Sequence, residues 1–302
     1  MALNLQTFRT RALTALVFAG VMLGGLLWNS WSFFLLFSVI HFGCWFEYQK
    51  LVEKIDGGYR DITPFHRYGV MLAGWCLMLW FSGGAYSIGG FLLHEVGWWL
   101  GLVFAFILPM TEILFNSNIR PKNIGHSFFG LIYISLSLGL MMDLQAVSGI
   151  LTSFEGLGEI SWIIIPVFPV LIIFTIWIND TMAYVMGSLI GRTPLTKISP
   201  KKTWEGTLGG IILAVGMIGS LAVFVFGLDR LAPAWHWYTI CAIAAITGTF
   251  GDLLESKLKR LAGVKDSGSI MPGHGGFLDR FDSLLVATTF VWLYVRLIMI
   301  GY

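Results

Sequence analysis

Two stretches of the 302-residue chain concentrate side chains able to do chemistry. The first, Gly251 to Leu285, holds Asp252, Glu255, Lys257, Lys259, Arg260, Lys265, Asp266, His274, Asp279, Arg280 and Asp282 between apolar segments. Ionisable groups beside a bilayer cost free energy unless they are used or paired. If the apolar run before Asp252 continues as helix, Asp252, Glu255, Ser256 and Lys259 share one face at i, i+3, i+4 and i+7. Carboxylates at a helix C-terminus meet the unfavourable end of its dipole, a penalty that a divalent cation or a lysine partner reverses. Pro272 to Gly276 reads as a turn, after which Asp279 and Asp282 open a last span one helical turn apart. Carboxylates from two helix ends make an oxygen-rich site, which suits Mg2+ rather than zinc. Asp252 and Asp279 are the expected metal ligands. Asp282 is a further candidate that Arg280 or Lys259 would otherwise neutralise, and Glu255 stays open between ligand and ion-pair partner. Lys259 either contacts phosphate or balances the carboxylates, and His274 either orders the glycine-rich turn or contacts phosphate.

The second stretch runs from Trp177 to Gly210. Asn179 and Asp180 are expected to close an apolar span, with a short amphipathic helix following as far as Ile190 and stopped by Gly191. Asp180 is then either a cap for that helix or a site residue. In Ser199-Pro200-Lys201-Lys202-Thr203, Pro200 ends any earlier helix and Thr203 can cap the next. Free N–H groups and the positive dipole end then lie beside Lys201 and Lys202, an anion site suited to phosphate. The plain alternative is two lysines obeying the positive-inside rule. No GxxxxGK[ST] loop occurs, and no nucleophilic triad order stands out. Carboxylates, a metal and lysines without a protein nucleophile point to phosphoryl or nucleotidyl transfer, where the work is charge neutralisation and alignment of phosphates.

The elements that must hold these residues are membrane helices. The chain is 56% hydrophobic and 12% charged with mean hydropathy +0.78, which defines an all-α, polytopic integral membrane protein. About nine transmembrane helices are expected, near 11–29, 31–50, 67–84, 97–115, 125–142, 162–179, 205–227, 236–254 and 281–300. The first run, behind Arg9 and Arg11, has no small-residue cleavage site and reads as a retained span. With the N-terminus cytoplasmic, Lys and Arg gather on one side, and Arg230 and Arg296 alone fall towards the other. Active site and N-terminus are thus placed in the cytoplasm and the C-terminus opposite, in a plasma membrane such as the bacterial inner membrane. Three regions are expected: N-terminal helices 1–115, middle helices 116–175, and a catalytic region 176–302. Cys44, Cys76 and Cys241 sit in apolar runs and read as buried hydrophobes. Glu47 and Glu112, near cytoplasmic span ends, are given no role. No nucleic-acid partner is expected.

The run Ser256 to Asp282, SKLKRLAGVKDSGSIMPGHGGFLDRFD, resembles the signature of the phosphatidate cytidylyltransferase (CDP-diacylglycerol synthase) family. Asn179-Asp180 and Ser199-Pro200-Lys201-Lys202-Thr203 resemble that family's elements, in the same order. The likeness covers roughly residues 175–285, and the N-terminal half resembles the family only in hydropathy and length. It implies the reaction of CTP with phosphatidate to give CDP-diacylglycerol and diphosphate. It further implies an Mg2+ site, a potassium ion as second metal, and a homodimer of nine-helix subunits. The family's metal aspartates fall on Asp252 and Asp279, with Lys259 and Asp282 beside them as catalytic residues. Asn179, Asp180, Ser199, Lys201, Lys202, Thr203, Ser256, His274 and Arg280 are the expected substrate contacts. A CTP-dependent lipid kinase is the nearest rival and differs in product, a phospholipid and CDP. A transporter would need ionisable groups at mid-span and an inverted repeat, neither of which stands out.

Overall fold

The computed structural model describes residues 5–115, 120–153, 166–268 and 275–301. These fold as helices α1 (Leu5–Leu27), α2 (Ser30–Ile55), α3 (Pro64–Trp80), α4 (Leu93–Phe115), α5 (Pro121–Gly130), α6 (Ser137–Ser153), α7 (Val167–Ile190), α8 (Trp204–Ser220), α9 (Ala234–Leu261) and α10 (Leu278–Tyr294). A π turn over Leu131–Leu136 joins α5 to α6, and others extend α8 over Leu221–Val225 and α10 over Val295–Met299. One two-residue hairpin, Ser87–Ile88 with Phe91–Leu92, interrupts the helices, its Gly89 and Gly90 both at positive φ. Among the described residues, six helical segments are long and apolar enough to cross a membrane: Leu93–Phe115, Pro121–Gly149, Val167–Ile190, Trp204–Val225, Ala234–Leu261 and Leu278–Met299. The protein is therefore an α-helical integral membrane protein.

Local sequence explains the helix ends. Asn29 caps α2 in a capping box with Ser32, so the polar break after α1 is a helical hairpin. Thr63, followed by Pro64 at the first helical position, starts α3, and Thr203 starts α8. One expectation is corrected. No break occurs at Asn179-Asp180, because α7 is a single 24-residue helix that ends before Gly191. Neither Gly nor Pro lies between Val170 and Met186 to stop it. Asp180 is therefore mid-helix and does not stand at a helix start.

The chain divides into two compact units, one of Met1–Met142 with Leu258–Phe281, the other of Asp143–Lys257 with Asp282–Tyr302. In the first, α2 supplies a buried aromatic spine of Phe33, Phe37, Trp45 and Tyr48. Its polar atoms are met by the π turn, where Ser135 Oγ accepts from Trp45 Nε1 at 2.8 Å and lies 3.0 Å from His41 Nε2. In the second, α7 and α8 pack through small residues. A Cβ on Gly206 would overlap the Ala183 carbonyl and the Gly187 backbone, and one on Gly210 would overlap Ala183 and the Asn179 carbonyl. The 183/187 and 206/210 pairs thus form a close crossing of the small-xxx-small kind. Phe168 stacks on Trp237 at 5.9 Å to close the apolar core of that unit.

Candidate active site

The α7–α8 crossing opens, at the loop joining the two helices, into a cavity of about 460 Å3. Its walls include Asn179, Asp180, Ser199, Lys201, Lys202, Thr203 and Asp252, all expected from the sequence. The loop holds its basic residues by backbone bonds: Leu195 N donates to Lys202 O, Trp204 N to Thr193 O, and Lys202 N to Ser199 O. Behind it, Glu205 in the first turn of α8 accepts from the amides of Arg192 and Thr193 at 3.1 Å. Thr203 Oγ1 accepts from Gly206 N at 3.2 Å, so the positive end of α8 faces the loop that carries both lysines. This is the geometry of a phosphate seat. Asn179 is 4% exposed, and its Oδ1 has no hydrogen-bond partner among the described residues. A buried acceptor left open in a cavity wall is a place for a donor from a ligand.

One edge of this cavity is also the edge of a carboxylate cluster. Carboxylate oxygens of Asp252, Glu255 and Asp282 lie within 4.8 Å of one another. Gly251 makes the meeting possible, since a Cβ there would collide with the Asp282 and Ser283 backbone of α10. The condition set by the sequence is met, as α9 runs on past Asp252 to Leu261, which puts Glu255 and Ser256 one turn beyond it. Ser256 Oγ donates to Asp252 Oδ1 at 3.3 Å, and Lys202 is ion-paired with Asp252 Oδ2. Glu255 is fully buried and Asp282 is 7% exposed. Three acidic groups so close, two of them buried, repel one another unless protons or a cation intervene. Oxygen-only donors at this spacing fit a hard divalent cation.

A second cluster forms in the unit containing Leu258–Phe281. Lys259 Nζ donates to Asp279 Oδ1 at 2.6 Å, and Asp279 Oδ2 accepts from Ser267 N at 3.0 Å and Gly276 N at 2.7 Å. Gly275 stands at φ +81°, and a Cβ there would crowd the Asp279 carboxylate. Arg280 is exposed. His274 lies outside the described residues.

Asp252 and the loop residues thus share one cavity, Asp282 and Glu255 join Asp252, and Asp279 is held with Lys259. Sequence reasoning missed Thr207, Thr249, Tyr184 and Ser188 in the cavity wall, and Glu205 behind the loop. An acidic residue in a helix's first turn is a signal for Glu205, but the amides it holds lie 12 and 13 residues back. Glu47 was also passed over. It reaches Ser267 across 220 positions, which no local pattern announces.

An α-helical membrane protein whose lysine-lined cavity abuts a buried carboxylate cluster is equipped to hold phosphates beside a cation. The Cytidylyltransferase family pattern matches residues 9–298, and the chain belongs to that family. Among its relatives, phosphatidate cytidylyltransferase of Synechocystis sp. is 41% identical over 215 residues, 63% of this chain and 71% of the relative. That of Staphylococcus saprophyticus is 36% identical over 201 residues, 64% of this chain and 70% of the relative. The chloroplastic phosphatidate cytidylyltransferase 5 of Arabidopsis thaliana is 35% identical over 206 residues, 64% of this chain. The match spans about half the length of the two Arabidopsis relatives, 50% and 51%.

Proposed function

We propose that this chain is a phosphatidate cytidylyltransferase that converts CTP and phosphatidate to CDP-diacylglycerol and diphosphate. The observation that carries the reading is the junction of a capped, lysine-lined cavity with a three-carboxylate cluster at Asp252. A phosphatidate phosphate oxygen bonds to the α-phosphorus of CTP as the bond from that phosphorus to the bridging oxygen breaks, and diphosphate leaves in line. Both reactants are anions, so unaided approach is repelled. Lys201, Lys202 and the start of α8 take the triphosphate tail, which offsets that repulsion and aligns the leaving group. The attacking oxygen is already ionised near neutral pH, so no residue need act as general base. Asn179 and Asp180 face the nucleotide from α7, with Ser199, Thr203 and Ser256 as further polar contacts.

Asp252, Glu255 and Asp282 would hold Mg2+, which supplies charge neutralisation at the attacked phosphate and the leaving group. Asp279 remains a proposed ligand and Lys259 its catalytic neighbour, one helical turn before Asp282 on α10 and at the end of α9. Arg280 and His274 complete the proposed substrate contacts, and potassium is the proposed second metal. The chemistry is assigned to the region 176–302, with the helices of 1–115 and 116–175 as its membrane frame. Nine membrane crossings, a cytoplasmic site, a C-terminus on the opposite side of a plasma membrane, and a homodimer complete the reading. Lipid tails then stay in the bilayer while the headgroup meets CTP at its surface.

Purified protein given labelled CTP, phosphatidate and Mg2+ should form CDP-diacylglycerol and diphosphate. Phospholipid and CDP in their place would assign a kinase. Asp279→Asn should lose turnover by about 100-fold or more while its melting transition is retained. Parent-like turnover in that variant would remove Asp279 from the site.

A further inference from the structure

We infer that Glu47 is a positioning residue of the reaction, clamping the two chain segments that orient Asp279. The inference rests on the reading of Asp279 as a site residue. Glu47 projects from α2 and is 2% exposed. Its Oε2 accepts from Ser267 Oγ at 2.7 Å and from Leu278 N at 2.9 Å. Gly268 and Gly276 press so closely on the carboxylate that a Cβ on either would overlap it.

The same segments hold Asp279. Ser267 gives its hydroxyl to Glu47 and its amide to Asp279, and Gly276, packed on Glu47, gives its amide to Asp279. Leu278, whose amide Glu47 holds, is the residue before Asp279. One buried carboxylate therefore fixes the frame in which the other is aimed. Burying a carboxylate in an apolar helix is costly, and a leucine would fill the space without that cost. Glu47 Oε1 moreover has no hydrogen-bond partner among the described residues. Helix packing alone gives no reason for such a group, whereas fixing Ser267 and Leu278 does.

The test compares Glu47→Ala, Glu47→Gln and Ser267→Ala in the full chain, reading kcat, KM for CTP, and hydrogen exchange at individual amides. Glu47→Ala should lower kcat about 100-fold with KM for CTP little changed, because a displaced Asp279 costs transition-state alignment more than nucleotide binding. Exchange should quicken at Ser267, Gly276 and Leu278 and stay as in the parent along α3 and α4. Glu47→Gln keeps an oxygen that can accept both bonds and should restore most of the turnover. Ser267→Ala, which leaves the carboxylate buried, should cost about tenfold in kcat, the worth of one hydrogen bond. It also serves as the reading if Glu47→Ala does not fold. Lowered kcat with the three amides still protected overturns the clamp and leaves the reading of Asp279 intact. Opened amides with parent-like kcat overturn both.

Discussion

Asp252 carries more of the site than any neighbour, because it belongs to the cavity and to the carboxylate cluster at once. Its ion pair with Lys202 joins the lysine-bearing loop to the cluster, and a phosphate bound in the cavity would compete for that lysine. Glu255 is fully buried beside two other carboxylates, where a cation would offset its charge. Asp252→Asn should abolish turnover, whereas Glu255→Gln should raise the Mg2+ concentration needed for half-maximal rate by about tenfold or more. A Mg2+ titration of purified variants, with EDTA as the zero point, separates the two outcomes. An unchanged titration for Glu255→Gln would restrict that residue to an electrostatic part. Asp252, Asp282 and the two lysines were legible in the sequence because ionisable residues stand out against apolar runs. Glu255 was left undecided, since ligand and ion-pair partner look alike until the third carboxylate is placed beside them.

At the scale of elements, the site depends on how closely helices approach. The α7–α8 crossing works because Ala183 and Gly187 oppose Gly206 and Gly210. Leucine at position 210 has no room without parting the helices. Gly210→Leu should lower stability by about 1–3 kcal/mol, as overpacking does, and raise KM for CTP. A melting curve beside nucleotide kinetics would show whether the two move together. Apolar helices were legible from hydropathy, though not all their bounds, and so was the cap at Thr203. The misread break at Asn179-Asp180 came from treating a polar pair as a terminus. Within α7, Asn179 is buried and Asp180 exposed, so the helix carries both without interruption. Polarity at a span end and polarity at a site look alike in one dimension.

Across the molecule, charges distant in the chain are paired as well as clustered at the site. Arg296, placed towards the outer side by the sequence, meets Asp143 of α6 in the structure. Arg296 Nε and Nη2 donate to the two Asp143 oxygens at 2.9 and 2.5 Å, and Trp292 Nε1 adds a bond of 2.6 Å. A paired arrangement lets charged residues sit at apolar helices without the full cost of burial. Which charges pair was not legible, because 153 positions separate this couple.

The burial of the cysteines has a practical corollary for membrane orientation. Cys44, Cys76 and Cys241 are unbonded, and none is more than 2% exposed. The native chain should therefore be nearly silent to a membrane-impermeant maleimide. A thiol introduced on a surface loop then reports alone, with no cysteine-free background to build. Lys197→Cys should label only when reagent reaches the cytoplasmic face of inside-out vesicles, and Asp229→Cys only from the other side. Reversed labelling would invert the proposed topology.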